Sequence, residues 1–126
     1  MEFRDYQRQL AEMEHERGWD RVLPSHTFMH MGEEMGEIAR LLECFEGYRG
    51  SELSDQELRR ALAGELADLT AFVFKLAGQF GIDMDDTMQA HLAQFRVRFA
   101  DVEQGRAEMA RYLACQEKNF AWIRGK

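Results

Sequence analysis

The chain has 126 residues, of which 45% are apolar, and a formal net charge of −7. That length suits one compact domain spanning 1–126, and the acidic balance argues against binding of a nucleic-acid polymer, which wants a basic face. A single proline, few β-branched residues and an abundance of Leu, Ala, Met, Glu, Gln and Arg predict an all-α protein. Phe3, Tyr6, Leu10 and Met13 recur at helical spacing and predict a first helix that ends near Gly18. After a short loop through Trp19 and Pro24, Ser25 is the expected cap of a second helix running to about Glu46. Ser54-Asp55-Gln56-Glu57 reads as a capping box that opens a third helix, which reaches about Gln79 and stops at Gly81. Asp83 is the expected cap of a fourth helix with the stripe Met88, Leu92, Phe95, Phe99 and Val102. Gly105 is the expected break, and a last helix is expected from Arg106 to about Trp122. The architecture implied is an antiparallel four-helix-bundle-like core with an additional C-terminal helix.

The N-terminus, Met1-Glu2-Phe3-Arg4-Asp5, lacks the apolar segment of a signal peptide, and no stretch approaches the ~18 apolar residues of a membrane span. Cys44 and Cys115 have no paired spacing. These features predict a soluble cytoplasmic protein with free thiols and no membrane partner.

Five acids carry the functional signal. Glu33, Glu34 and Glu37 form E-E-x-x-E, and Glu65 and Asp68 form E-x-x-D after 27 intervening residues. Carboxylates three apart on a helix are neighbours and repel. An internal echo at an offset of 31 residues aligns Glu34-Met35-Gly36-Glu37-Ile38 with Glu65-Leu66-Ala67-Asp68-Leu69. It also aligns the apolar stripes Met31, Met35, Ile38, Leu42, Phe45 and Leu62, Leu66, Leu69, Val73, Leu76. At ~100° per residue, Glu34 and Glu65 fall about 60° off their stripe centres, and Glu37 and Asp68 about 120° off on the same side. Antiparallel packing of the two helices therefore brings the two acid pairs to one rim, with Glu33 nearly opposite the stripe. Clustered carboxylates without a thiol nearby suit a hard cation, Mg²⁺ first, with Mn²⁺ as a substitute. The third helix also carries Ala71, Phe72 and Phe74 outside its stripe, and a helix apolar most of the way round needs burial on several sides. A homo-oligomer, dimer or tetramer, is expected.

E-E-x-x-E, a gap of this size and E-x-x-D resemble the signature of the MazG-like all-α nucleoside triphosphate pyrophosphohydrolases. Gly18-Trp19-Asp20 and Pro24 before the first cluster, and Gly81-Ile82-Asp83 after the third helix, extend the resemblance over roughly 19–99. The resemblance implies Mg²⁺-dependent cleavage of a nucleoside triphosphate between its α- and β-phosphates, giving a nucleoside monophosphate and pyrophosphate. It implies Glu34, Glu37, Glu65 and Asp68 as metal ligands, with Glu33 or Glu34 activating the water, and a site assembled within a dimer or a dimer of dimers. In place of the Lys- and Asn-rich stretch of many relatives stand Phe95, Arg96 and Arg98, and Phe72 stands where some have Tyr. Base and sugar preference are therefore left open. Trp19 is a candidate to stack on a base or to staple the loop, and Lys75 a candidate to meet phosphate or simply to solubilise. Tyr48 and Arg49 are further candidates for the pocket border.

Alternative readings stand beside this one. His26, His30 and Glu34 are four apart, a spacing on which a zinc-binding face is conceivable, although the resembling family has no ligands there. A di-iron bundle would show Glu-x-x-His, where this chain has Glu-x-x-Glu and Glu-x-x-Asp. A phosphoribosyl-ATP pyrophosphohydrolase, and a non-catalytic helical module that binds a nucleotide or a partner, are the remaining alternatives.

Overall fold

The computed structural model describes residues 1–125, and among these every regular element is a helix. The order is α1 (Phe3–Arg17), a single 3₁₀ turn (Trp19–Arg21), α2 (Pro24–Phe45), α3 (Asp55–Gln79), α4 (Met84–Arg98) and α5 (Val102–Arg124). The all-α class expected from composition is what the chain adopts. No helix among the described residues is long and apolar enough to cross a membrane. The chain divides into two compact units, Met1–Thr87 and the residues from Met88 onward.

Local chemistry sets most helix ends. Gly18 closes α1 in the left-handed region at φ 72°, where a side chain would be strained. Pro24 opens α2 at its first helical position, so the cap is Leu23, two residues before the expected Ser25, and it makes no side-chain capping bond. Proline suits that position because the helix has no use for its missing N–H. At α3 the capping box is complete. Glu57 N–H donates to Ser54 Oγ at 3.1 Å, and Ser54 N–H donates to the Glu57 carboxylate at 2.8 Å. The far end of the chain departs from expectation. Helix α4 stops at Arg98, and Asp101 caps α5 by accepting the Gln104 N–H at 3.0 Å. Gly105 therefore lies inside α5 rather than between two helices, and the last helix starts at Val102 rather than Arg106.

In the first unit, α2 and α3 form a helical hairpin. Thr27 bonds Gln79, His30 stacks on Phe72, and Glu37 meets Glu65, so one helix ascends as the other descends. Thr27 is 1% exposed; its Oγ donates to Gln79 Oε1 at 2.9 Å, while Gln79 Nε2 donates to the Val22 carbonyl at the same distance. Helix α1 packs on α3 around the buried Phe74, whose ring is 5.8 Å from Phe3 and 5.1 Å from Tyr6. Gln7 ties α1 to the start of α4, donating to the Ile82 carbonyl at 2.8 Å and accepting the Met84 N–H at 3.0 Å. Arg4 clasps Asp83 and Asp86, each at 2.7 Å.

The hairpin face is rotated from the expected stripes. Met31, Glu34, Ile38, Leu41 and Phe45 are among the partly buried positions of α2, whereas Met35 and Leu42 are exposed. On α3, Leu62, Glu65, Leu69, Val73 and Leu76 are partly buried and Leu66 is exposed. Glu34 and Glu65 therefore lie within the packed face, not beside it.

In the second unit, α5 contains no buried residue, and Met109, Tyr112, Leu113, Phe120, Trp122 and Ile123 are all exposed along it.

Candidate metal centre

The antiparallel register of α2 against α3 brings Glu34 and Glu37 opposite Glu65. One carboxylate oxygen from each of the three lies within 4.8 Å of the others. Glu34 and Glu65 are partly buried, and the Oε2 atom of each is buried without a hydrogen-bond partner. A buried acceptor left unsatisfied is destabilising, more so when charged. No donor comes from the neighbouring carboxylates while all are ionised.

Protonation is one remedy, and the surroundings favour it. The Glu65 carboxyl is held above its ordinary range, chiefly because its protonated form can bond Glu34, with burial and the charges of Glu34 and Asp68 adding to the effect. Glu37 is also raised, chiefly through hydrogen bonding and repulsion with Glu65, with a further push from Asp68. Asp68 thus acts on both members electrostatically, although it lies outside the close trio. A divalent cation is the other remedy. Oxygen donors from two helices, with no nitrogen or sulfur among them, match the preference of hard cations, and the two orphaned oxygens offer the lone pairs that such an ion takes. The residues present therefore fit a hard divalent metal.

Glu33 points elsewhere. Its Oε2 is 3.1 Å from His30 Nδ1, and His30 Nε2 is 2.9 Å from His26 Nε2. Phe72 lies stacked under His30, with ring centroids 5.3 Å apart and planes 7° from parallel. The structure thus places Phe72 against an imidazole beside the acids, an aromatic pairing that spacing alone did not suggest. A faint signal was present, because residues 26, 30 and 33 share one helix face.

Lys75 faces α1 and the 3₁₀ turn. Its Nζ donates to the Trp19 carbonyl at 3.0 Å and lies 3.5 Å from Glu14, and both side chains of this pair are about nine-tenths buried. Trp19 itself is exposed, with the Arg17 guanidinium 5.6 Å from its ring centroid. Arg96 and Arg98 are exposed on the last turn of α4, with Arg98 lying 5.0 Å from the ring centroid of Phe99. Arg49 bonds Glu43 at 3.0 Å at the end of α2, and Tyr48 is exposed. A cavity of about 280 Å³ lies between α1 and α3, lined by Gln7, Leu10, Glu14, Asp20, Lys75 and Gln79. It is distinct from the acid cluster, and its charged lining is already paired.

Comparison with known proteins gives one similarity of note. The chain is 29% identical over 103 residues to the uncharacterized protein YvdC of Bacillus subtilis (strain 168). That alignment covers 79% of this chain and 97% of YvdC. No family model matches the chain.

Proposed function

We propose that this protein is a Mg²⁺-dependent nucleoside triphosphate pyrophosphohydrolase, releasing pyrophosphate and a nucleoside monophosphate in a house-cleaning or pool-balancing role. The observation that carries the reading is the convergence of Glu34, Glu37 and Glu65 from two helices, with two buried oxygens lacking any partner. The E-E-x-x-E and E-x-x-D pattern, with its MazG-like setting, supplies the reaction class.

Glu34, Glu37, Glu65 and Asp68 would hold the metal. When bound, Mg²⁺ supplies neutralisation of phosphate charge and polarisation of a phosphoryl oxygen. Water attacks phosphorus, the bridging P–O bond between the α- and β-phosphates breaks, and the proton of the water goes to a glutamate. Glu33 is our choice for that base on the strength of the motif it opens, and it would have to turn from His30, which its carboxylate meets at 3.1 Å, to reach the water. Glu34 then acts as ligand alone. The aromatic residues Trp19 and Phe72 are the candidates for base contacts. Lys75 is a weaker candidate, for phosphate, since its ammonium is already shared between Glu14 and the Trp19 carbonyl.

The working form in this reading is a homodimer or homotetramer in which the four-helix core is completed by hairpins from two copies. The exposed apolar residues of α2 support it.

The decisive experiment is pyrophosphate release from a panel of canonical and modified nucleoside triphosphates, with Mg²⁺, with Mn²⁺ and with chelator. Metal-dependent release is expected, lost in Glu37→Gln and reduced by a factor of ~10² or more in Glu33→Gln, the usual contribution of a general base. Folded, oligomeric protein that releases nothing from any triphosphate would overturn the reading.

A further inference from the structure

We propose that His26 and His30 form a cation site separate from the carboxylate cluster, taking a d-block divalent ion such as Zn²⁺ or Ni²⁺ through their paired Nε2 atoms. The two residues are one turn apart on α2, and their Nε2 atoms face each other at 2.9 Å. Two nitrogens bound to one tetrahedral Zn²⁺ at 2.0–2.1 Å stand about 3.3 Å apart. Parting by a few tenths of an ångström admits the ion, and His26 is exposed, so a small ring rotation suffices.

The surroundings favour metal over a bare imidazole pair. Glu33 accepts from His30 Nδ1, which places the ring proton on that nitrogen and leaves Nε2 with its lone pair. A carboxylate behind a ligating imidazole is the usual support of a metal-bound histidine, fixing tautomer and ring direction. Phe72, stacked on the ring, holds its plane. Two imidazole donors select borderline metals, whereas the oxygen trio one turn further along selects hard ones. The helix thus presents two cation sites of different chemistry, with Glu33 between them. The remaining coordination positions at the histidine site are open to water.

The test is calorimetric titration of the full chain with Zn²⁺ or Ni²⁺ in a non-chelating buffer holding millimolar Mg²⁺, alongside NMR observation of the histidine ring nitrogens. Wild type is expected to bind one ion per chain, with the Nε2 signals of His26 and His30 shifting together. His30→Gln should weaken binding by tenfold or more. Glu33→Ala should weaken it by ~10–100-fold through loss of orientation. Glu37→Gln should leave it within twofold. His26 and His30 are not core residues, so circular dichroism is expected to show their variants folded. Absence of Zn²⁺ binding, binding unaffected by His30→Gln, or binding lost in Glu37→Gln with the ring signals unmoved would each overturn the proposal. The readout is binding, so it stands or falls independently of triphosphate cleavage.

Discussion

Lysine 75 shows how a single side chain changes meaning once its neighbours are known. In sequence it lies two turns beyond Asp68, on nearly the same face, where a cation could meet phosphate. In the structure its ammonium is largely buried between Glu14 and the Trp19 carbonyl, pinning the 3₁₀ turn to α3. Removing one partner of a buried pair strands the other charge, which costs about 3–5 kcal/mol, whereas replacing both with apolar groups is often neutral. Lys75→Ala is therefore expected to cost about 3 kcal/mol by urea unfolding, and Glu14→Leu/Lys75→Met much less. Equal losses in the two variants would remove the staple. The carboxylates make a second case, one with a pH signature. Glu37 and Glu65 are raised above their ordinary value of 4.5 in the fold, so the native state binds protons more tightly than the unfolded chain. Stability without metal then falls as pH rises above that value, because the unfolded state loses its protons first. A cation that binds the ionised cluster reverses the trend. The rise in Tm on adding Mg²⁺ should be larger at pH 8 than at pH 5, where protons compete, and Glu37→Gln should raise the metal-free Tm at pH 8. An increment that is independent of pH, or largest at pH 5, would count against metal at this cluster.

Elements were legible where the chain carries its own punctuation. The Ser54–Glu57 box, Gly18 and Gly81 mark helix ends by local chemistry, and α1 ends and α3 begins and ends where those residues place them. The break between α4 and α5 was misplaced for the same reason in reverse. Asp101 is an ordinary cap hidden beside a glycine that looked stronger, and Gly105 is tolerated in the first turn of α5. The matching offsets of the acid pairs predict a rim, whereas Glu34 and Glu65 lie within the packed face, because hydropathy does not show which of Met35, Leu42 and Leu66 a partner helix covers. Long-range polar ties left no periodic trace at all. Gln79 is the clearest. It reads as the last polar residue of a helix, yet it satisfies both the fully buried Thr27 hydroxyl and the Val22 carbonyl. Gln79→Ala leaves that hydroxyl without an acceptor and should destabilise by about 1–3 kcal/mol. Thr27→Val in the same background should recover part of the loss, and a double-mutant cycle by chemical denaturation measures the coupling. Strict additivity of the two substitutions would mean the bond contributes nothing.

At the scale of the whole molecule, what needs explaining is how little apolar surface each unit covers. Leu58, Phe74 and Ala77 are the buried apolar residues among those described, while α2 exposes Phe28, Met35 and Leu42 at 65%, 59% and 44%. These three stand seven residues apart, so they line one side of the helix, and Gly32 and Ala39 between them keep the line shallow enough for a second helix to approach. A contiguous apolar strip of this kind is uncommon on a monomer and common at an interface. It also borders the acid cluster, because Met35 is flanked by Glu34 and followed two residues on by Glu37. If hairpins from two copies meet along this strip, assembly and the metal centre depend on one another. Met35→Glu should then shift the protein towards monomer in light scattering at micromolar concentration. It should lower stability with a concentration dependence that wild type shows only at greater dilution. Mg²⁺ affinity should fall with it, since the carboxylates of an isolated hairpin lose the surroundings that hold them together. A wild-type chain that is monomeric and stable at micromolar concentration would leave the strip without a partner and would separate the fate of the carboxylates from that of the assembly.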